Sequence, residues 1–358
     1  MDTFAFMLHP LEVEDVYVKY PYLKKMPKKL AEDALRFCEP FVLSNITGIK
    51  SPHNEIEGWF VSCPLTSKQM VTLNEDYVLK KIIKTGRLAE KLGAKILGLG
   101  AFTAVVGDAG ITVARELNIP VTTGNSYTVA TALEGTKKAA EAMDIDFKNA
   151  EVLVVGATGS IGRVCARAFA REARFLTIAG RDEKKLEAVG EEILKETGLA
   201  VRTTKNFKSA LRKADIVITV TSALDSVIDS KDLKPGSVIC DVARPRDVSK
   251  KVVEERNDVF VIEGGVVDVP GDVDFNFDFG FPPKKAYACM AETMILAIEG
   301  RFENFTLGRE LTLEQVDEIS QLAKKHGFKI SGFRSFGREV KPEHIKKVKE
   351  NARKAVAG

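Results

Sequence analysis

The chain has 358 residues, 45% of them hydrophobic and 29% charged, with a formal net charge of +3. That length allows two domains and a sizeable core, the composition excludes a disordered or fibrous protein, and the balanced charge excludes nucleic-acid binding by charge alone. No run approaches the ~20 consecutive apolar residues of a membrane span. The opening MDTFAFMLHPLEVEDV lacks the basic start and apolar run of an export signal. The five cysteines (Cys38, Cys63, Cys165, Cys240, Cys289) form neither a CxxC pair nor an even disulfide set. A soluble, reduced, cytoplasmic protein is expected.

In chain order, an apolar strand leads into His9. FVLSNITGI (41–49) and EIEGWFVSC (55–63) read as strands separated by the turn formers Ser51, Pro52, His53 and Asn54. Val78, Leu79, Ile82, Ile83, Leu88 and Leu92 recur at helical spacing and predict a helix over 75–92. AKILGLG (94–100) and IPVTTG (119–124) predict buried strands, followed by a helix over 128–143. Such alternation predicts a parallel sheet. A second alternation begins near residue 150. EVLVVG (151–156), FLTIAGR (175–181), DIVITVTSA (215–223), SVICDVA (237–243) and DVFVIEGG (258–265) read as strands, and 160–171 and 183–196 as helices. This is the rhythm of a doubly wound nucleotide-binding domain. After Pro282 and Pro283 the pattern turns helical, over 284–300, 312–326 and 341–356.

The strand 151–156 runs into Val154-Val155-Gly156-Ala157-Thr158-Gly159-Ser160-Ile161-Gly162, which opens the next helix. In that position Gly156 permits a tight turn, Gly159 lets backbone approach a pyrophosphate, and Gly162 lets the helix pack close to the sheet. Phosphate then rests on free N–H groups at the positive helix end, so Gly156, Thr158, Gly159, Ser160, Ile161 and Gly162 are expected to hold a dinucleotide. The second strand ends at Arg181, with Lys184 and Lys185 close behind, where NAD-specific enzymes place an acid. A guanidinium fork suits a 2′-phosphate, so NADPH is expected over NADH, with Asp182 the contrary feature. Thr221 and Ser222, at the end of the 215–223 strand, are expected to touch the cofactor.

These features define the expected fold class: α/β and two-lobed, an N-terminal α/β substrate domain plus a Rossmann-like NADP-binding domain, with C-terminal helices packing back. The expected boundaries are 1–148 for the substrate domain, 149–272 for the dinucleotide-binding domain and 273–358 for a C-terminal helical segment. Residues 321–358 carry eleven Lys or Arg and three acids, a local charge of +8. Such a run reads either as a solvated helix or as a dock for an acidic partner.

No metal-ligand spacing occurs, so no protein-bound metal is expected, and the acids Asp268, Asp272, Asp274 and Asp278 read as a solvated loop. His9 reads as structural rather than catalytic. Cys289 follows Pro283, a natural helix start, and lies beside Lys284 and Lys285, a setting that lowers a thiol pKa. A small buried hydrophobe is the competing reading of that cysteine. The uncharged stretch Ile96–Gly107, with Gly100, Phe102 and Thr103, reads either as a buried strand and turn or as an apolar substrate wall. The loop from Thr122 to Tyr127, with Asn125 and Tyr127, lies at a strand end suited to substrate binding.

Together GLGAFTAVVGDAG (98–110), VTTGNSYT (121–128), VVGATGSIG (154–162), VARPRDV (242–248), IEGGVVD (262–268), AYACMAETMILAIEG (286–300) and LGRELTL (307–313) resemble, in order and spacing, the fatty acyl-(acyl-carrier-protein) reductases. The resemblance runs from about residue 4 to about residue 328, leaving 329–358 as an extension. It implies NADPH-dependent reduction of a long-chain acyl thioester to aldehyde, with Cys289 accepting the acyl group. Glu292, one turn beyond Cys289, reads either as a catalytic residue that orients it or as a satisfied buried acid. The implied partner is an acidic fatty acyl carrier protein or acyl-CoA, with no nucleic acid and no transmembrane segment; monomer and homo-oligomer are both open. Two other readings stand beside it: a shikimate-dehydrogenase-like oxidoreductase of a small polar substrate, and a non-catalytic NADP-sensing protein.

Overall fold

The computed structural model describes residues 1–17, 20–223, 225–243, 245–278 and 280–357. Among the strings quoted above, VARPRDV contains Arg244, which lies outside the described residues. The chain divides into two compact units, each made of several segments.

The first unit comprises Met1–Tyr127, Val267–Glu310 and Asp317–Lys329. Its six-stranded sheet runs Gly271–Asp274, Phe41–Lys50, Glu55–Ser62, Asp2–Leu8, Leu97–Leu99, Val121–Thr122. Asp2–Leu8 pairs in parallel with Glu55–Ser62 on one side and Leu97–Leu99 on the other, and Leu97–Leu99 pairs in parallel with Val121–Thr122. Phe4, Ala5, Phe6 and Met7 are all fully buried, as a central strand covered on both faces requires. The helix Glu75–Lys91 is capped by Asn74, whose side chain accepts from the Tyr77 N–H, and it buries Val78, Ile82 and Ala89. The parallel strands therefore end together at Leu8, Ser62, Leu99 and Thr122, and the loops leaving those ends hold His9, Gly100–Ala104 and Thr123–Gly124. Such carboxyl-end loops are where ligand sites are built in parallel sheets.

The second unit comprises Thr128–Val266, Leu311–Val316 and Ile330–Gly358. Its sheet runs Phe260–Glu263, Val238–Asp241, Ile216–Thr219, Glu151–Val155, Phe175–Ala179, Arg202–Thr204, every pairing parallel. Counted in chain order this is 6-5-4-1-2-3, the Rossmann arrangement with its reversal beside Glu151–Val155. The helices Ser160–Ala170 and Glu183–Thr197 complete the first two crossovers. The expected α/β, Rossmann-containing class is the fold observed.

The span 273–358 is shared between the units. Lys329 ends the last segment of the first unit, and the remainder of the chain belongs to the second. The extension there is folded. Phe333 meets Phe260 edge-on at 5.3 Å, and the Arg246 guanidinium lies 5.5 Å from the Phe336 ring centre. In the helix Pro342–Ala357, Val348 and Ala352 are buried, and Lys349 pairs with Asp144 at 2.5 Å. One face of the basic helix is thus core, and Lys346, Lys347 and Lys354 are exposed.

One local expectation is corrected. The helix expected from 284 begins at Ala288 and runs to Glu299. Pro283 does not start it: Lys284 has a left-handed φ of 65°, its carbonyl accepts the Val269 N–H at 2.8 Å, and Lys285–Tyr287 is a strand. Backbone pairing outcompetes the local helix signal of the proline.

Candidate active site

Cys289 is the second residue of the helix Ala288–Glu299, closer to the N-terminus than the sequence suggested. Tyr287, at the N-cap, makes no side-chain cap to this first turn. The dipole of a twelve-residue helix favours negative charge there. The two lysines contribute less than expected, because Lys284 pairs with Asp272 at 2.7 Å and Lys285 with Asp268 at 2.6 Å.

The five cysteines separate on burial. Cys63, Cys165 and Cys240 are buried, Cys38 is exposed and Cys289 is half-buried. Burial pushes the Cys63 thiol up to about 12 and raises Cys165 further, so neither supplies thiolate. Cys289 combines partial access with a helix N-terminus.

Glu292, one turn after Cys289, is fully buried and accepts four hydrogen bonds. Its Oε1 accepts from the hydroxyls of Thr122 at 2.5 Å and Thr306 at 2.7 Å; its Oε2 accepts from the Ser126 hydroxyl at 2.6 Å and the Tyr127 N–H at 2.8 Å. With both oxygens engaged, Glu292 ties the 123–124 loop, through the strand end before it and the helix start after it, to the helix carrying Cys289. The loop is tied down where it passes closest to the cysteine. Gly124 has φ 76°, and a Cβ there would lie 2.3 Å from the Cys289 Cα. No side chain fits at 124, so the glycine backbone itself forms a wall beside the cysteine. Glu292 accordingly holds this glycine wall in place.

The other substrate candidates divide. Asn125, half-buried, and Tyr127, buried, lie in the first turn of the helix Asn125–Ala142, which directly follows Gly124 and begins three residues before the helix expected from 128. Gly100, Phe102 and Thr103 lie at the neighbouring strand end. A Cβ at Gly100 would meet the Met7 carbonyl at 2.7 Å, Phe102 belongs to the hydrophobic core, and the Thr103 hydroxyl donates to the Gly100 carbonyl at 2.7 Å. His9 Nε2 accepts the Phe102 N–H at 3.1 Å, leaving Nδ1–H to donate to the Pro10 carbonyl at 2.9 Å. Burial lowers the His9 pKa to about 4, so it is a neutral fastener of this turn, as its sequence position implied. Thr122, Gly124 and Ser126 fall within the segment read from sequence as a substrate loop, but their part in anchoring it was not anticipated, and Thr306 was not singled out at all. The first three lie inside the VTTGNSYT string; nothing local marks Thr306.

In the second unit the glycine loop behaves as two kinds of residue. Gly156 has φ 87°, and a Cβ there would lie 2.4 Å from the Val220 carbonyl oxygen. A Cβ on Gly162 would lie 2.2 Å from the Gly156 carbonyl oxygen. Both are demanded by the protein's own packing. Gly159 is different: it is exposed, and a Cβ would meet nothing closer than 3.4 Å. It is the N-cap of Ser160–Ala170 and supplies no side-chain cap. Its missing side chain leaves the N–H groups of Ser160, Ile161 and Gly162 open to an anion, the fit a pyrophosphate requires. The Thr158 side chain would lie 3.1 Å from a Cβ at Gly180, beside the end of the second strand.

Just beyond, Arg181 is exposed, while Asp182 caps Glu183–Thr197 by accepting the Lys185 N–H at 3.2 Å. The acid near the ribose position thus has a structural task. Thr221 is held by buried Asp247, which accepts its hydroxyl at 2.5 Å and its N–H at 2.8 Å; Ser222 is exposed.

Comparison with known proteins bears on both units. Residues 137–264 match the family described as Shikimate / quinate 5-dehydrogenase. Fold and match define the class, a Rossmann-type NAD(P)-dependent oxidoreductase using a nicotinamide cofactor. Among characterised relatives, the chain is 28% identical over 316 residues to long-chain acyl-[acyl-carrier-protein] reductase of Synechococcus elongatus, covering 83% of this chain and 90% of that protein. It is 32% identical over 298 residues to aminotransferase PigE of Serratia sp., covering 81% of this chain but 34% of PigE, so it spans about a third of that protein. L-tryptophan dehydrogenase from Nostoc punctiforme aligns over 99% of this chain and 89% of its own, with 13% identity and a TM-score of 0.42.

Proposed function

We propose that the protein reduces a long-chain fatty acyl thioester to the fatty aldehyde with NADPH, through an acyl group carried on Cys289. The observation that carries this reading is the setting of Cys289: half-buried, in the first turn of a helix, against a glycine wall anchored by Glu292. Similarity to the Synechococcus elongatus reductase over nine-tenths of that protein's length supports the substrate class. The Cys289 sulfur attacks the acyl carbonyl, the bond to the carrier sulfur breaks, and the carrier leaves as its thiol. A bound nicotinamide supplies the hydride. Addition of hydride and a proton across the Cys289 thioester gives a thiohemiacetal, whose C–S bond breaks to release aldehyde and restore the thiol. The carbonyl oxygen carries negative charge on the way, and backbone N–H groups at the N-terminus of the helix bearing Cys289 are donors of the kind that stabilise it.

NADPH, rather than NADH, is favoured by exposed Arg181 and by the capping task of Asp182. Gly156, Thr158, Gly159, Ser160, Ile161, Gly162, Arg181, Thr221 and Ser222 would hold the cofactor. Asn125 and Tyr127, in the helix turn that follows Gly124, are the proposed substrate contacts. The proposed partner is an acidic acyl carrier protein, with acyl-CoA as the soluble alternative, and the exposed lysines of the terminal helix are the surface that would attract it. The shikimate and quinate match lies inside residues 137–264 and therefore supports cofactor binding rather than a small polar substrate.

The test is incubation with NADPH and palmitoyl thioesters of carrier protein and of coenzyme A, with aldehyde as the readout. Without reductant, the peptide bearing Cys289 should gain one palmitoyl mass, and Cys289→Ser should neither gain it nor form aldehyde while still binding NADPH. Aldehyde formation by Cys289→Ser at the wild-type rate overturns the covalent route. Turnover of quinate or shikimate with none of any acyl thioester overturns the substrate class.

A further inference from the structure

The first unit carries an apolar surface that its own core leaves uncovered. Pro21–Lys25 forms a 3₁₀ turn and Lys28–Leu35 a helix. The inward side of this helix is a small core of Ala31 and Leu35 with Val13, against which Val16, Tyr17 and Met26 pack. A second apolar row, Leu30, Ala34 and Phe37, is spaced i, i+4, i+7 and faces water; the Phe37 N–H continues the turn by donating to the Ala34 carbonyl at 3.1 Å. Phe37 is 82% exposed, Tyr22 65% and Leu30 55%. Isolated exposed apolar residues are ordinary, but a row of them on one short element marks a contact surface.

This face is held in place. Thr66 donates to the Glu32 carboxylate at 2.9 Å, Gln69 to the Glu32 carbonyl at 2.6 Å, Tyr77 to the Arg36 carbonyl at 2.5 Å, and Lys81 to the Cys38 carbonyl at 2.8 Å. Lys24, Lys25 and Lys29 are exposed around it. Lys28 is engaged with Glu14 at 2.5 Å, but among the described residues these three have no carboxylate partner. Of the nearby acids, Asp33 lies 3.9 Å from Arg36, and Glu39 is paired with Lys84.

We infer that residues 20–37 dock the protein on an anionic lipid surface, with Tyr22, Leu30 and Phe37 entering the headgroup–acyl boundary and Lys24, Lys25 and Lys29 meeting phosphate. Large apolar and aromatic side chains beside unpaired lysines match the chemistry of that boundary. A second copy seated by two-fold symmetry on the same patch would set these lysines against themselves. No helix among the described residues is long and apolar enough to cross a membrane, so the contact would be peripheral. The inference stands on the exposed residues and does not depend on the proposed reaction.

The test uses the full chain with sucrose-loaded vesicles of phosphatidylcholine, alone or with about one-third phosphatidylglycerol, in a sedimentation assay. The wild type should partition onto the anionic vesicles. Lys24→Glu/Lys25→Glu/Lys29→Glu should weaken partition by roughly 100-fold, about fivefold per lysine removed. Leu30→Ser/Phe37→Ser should weaken it at least ~10-fold, since two buried side chains are lost. These residues are exposed, so both variants should melt with the wild type. Failure of the wild type to partition, or partition unchanged in both variants, overturns the inference. So does a wild-type dimer that Leu30→Ser/Phe37→Ser converts to monomer, which would make the face a self-interface.

Discussion

Replacing Glu292 by Gln separates a positioning role from a chemical one. The change keeps shape and leaves one oxygen, but the amide nitrogen must take the place of the other. At the Oε2 position it would confront the Tyr127 N–H, which cannot turn away. It must therefore sit at Oε1 and face the hydroxyls of Thr122 and Thr306. Both hydroxyls would have to reverse and accept, yet the Thr122 oxygen already accepts the Thr306 N–H at 3.2 Å. Two hydrogen bonds to a charged acceptor are lost, at about 1.5–3 kcal/mol each, and partial re-pairing leaves a net cost of about 2–4 kcal/mol. For a unit of this size that corresponds to a fall in melting temperature of roughly 5–15 °C. The assay is thermal unfolding together with the rate of Cys289 alkylation as a function of pH. The expected result is a lowered melting temperature with the inflection of the alkylation profile unmoved, because Glu292 exchanges no proton with the thiol. An unchanged melting temperature would refute the loop-anchoring argument. A displaced inflection at unchanged stability would show that Glu292 acts on thiol ionisation directly.

Gly159→Ala should leave stability within about 0.5 kcal/mol of wild type, as expected where nothing crowds the new Cβ, while weakening NADPH binding at least ~10-fold because the methyl group occupies the anion's approach; Gly162→Ala should instead lower the melting point, and the reverse pattern by calorimetry would contradict the assigned roles. Arg181→Ser should reduce the ratio of kcat/KM for NADPH over NADH by roughly 10-fold or more, the order of one lost charge-assisted contact; an unaltered ratio would remove Arg181 from cofactor selection. His9 is neutral and its folded pKa, about 4, lies below the ordinary 6.5, so the unfolded chain binds its proton first. Its contribution is whole above pH 6.5 and is lost as pH falls towards 4, amounting to about 2 kcal/mol between pH 7 and 5; His9→Gln should flatten the urea midpoint over that range, and an equally steep dependence in the variant would exclude His9 as the source. Lys346→Glu/Lys347→Glu/Lys354→Glu should raise KM for a carrier-linked thioester several-fold at low salt and leave a short uncharged thioester unaffected. Equal effects on both would dismiss the terminal helix as a carrier dock; truncation at Phe328 is no substitute, since it strips Val348 and Ala352 from the core.

The nucleotide-binding half was legible because its signals are local. A buried strand, a glycine turn and a helix follow one another within 151–170, and each obeys rules of turn geometry and periodicity that act over a few residues. The same holds for the helix beginning at Glu75, whose cap Asn74 is its immediate neighbour. The Cys289 site is assembled from distant chain. Thr122, Ser126 and Tyr127 lie 170, 166 and 165 positions from the Glu292 they meet, and no periodicity spans such distances. The proline rule failed at Pro283 for the same reason. Lys284 is drawn into a left-handed turn by the Val269 backbone, and a pairing with a remote segment outweighs a neighbour's preference for helix. The lysines read as thiolate-stabilising proved to be engaged by Asp268 and Asp272, acids that composition counts but cannot locate. The terminal helix divides along the same line. Its charge was plain in the residues, but that Val348 and Ala352 are buried in the nucleotide-binding unit, with Lys349 taken up by Asp144, was decided by tertiary packing, which alone determines which face of an amphipathic helix meets water.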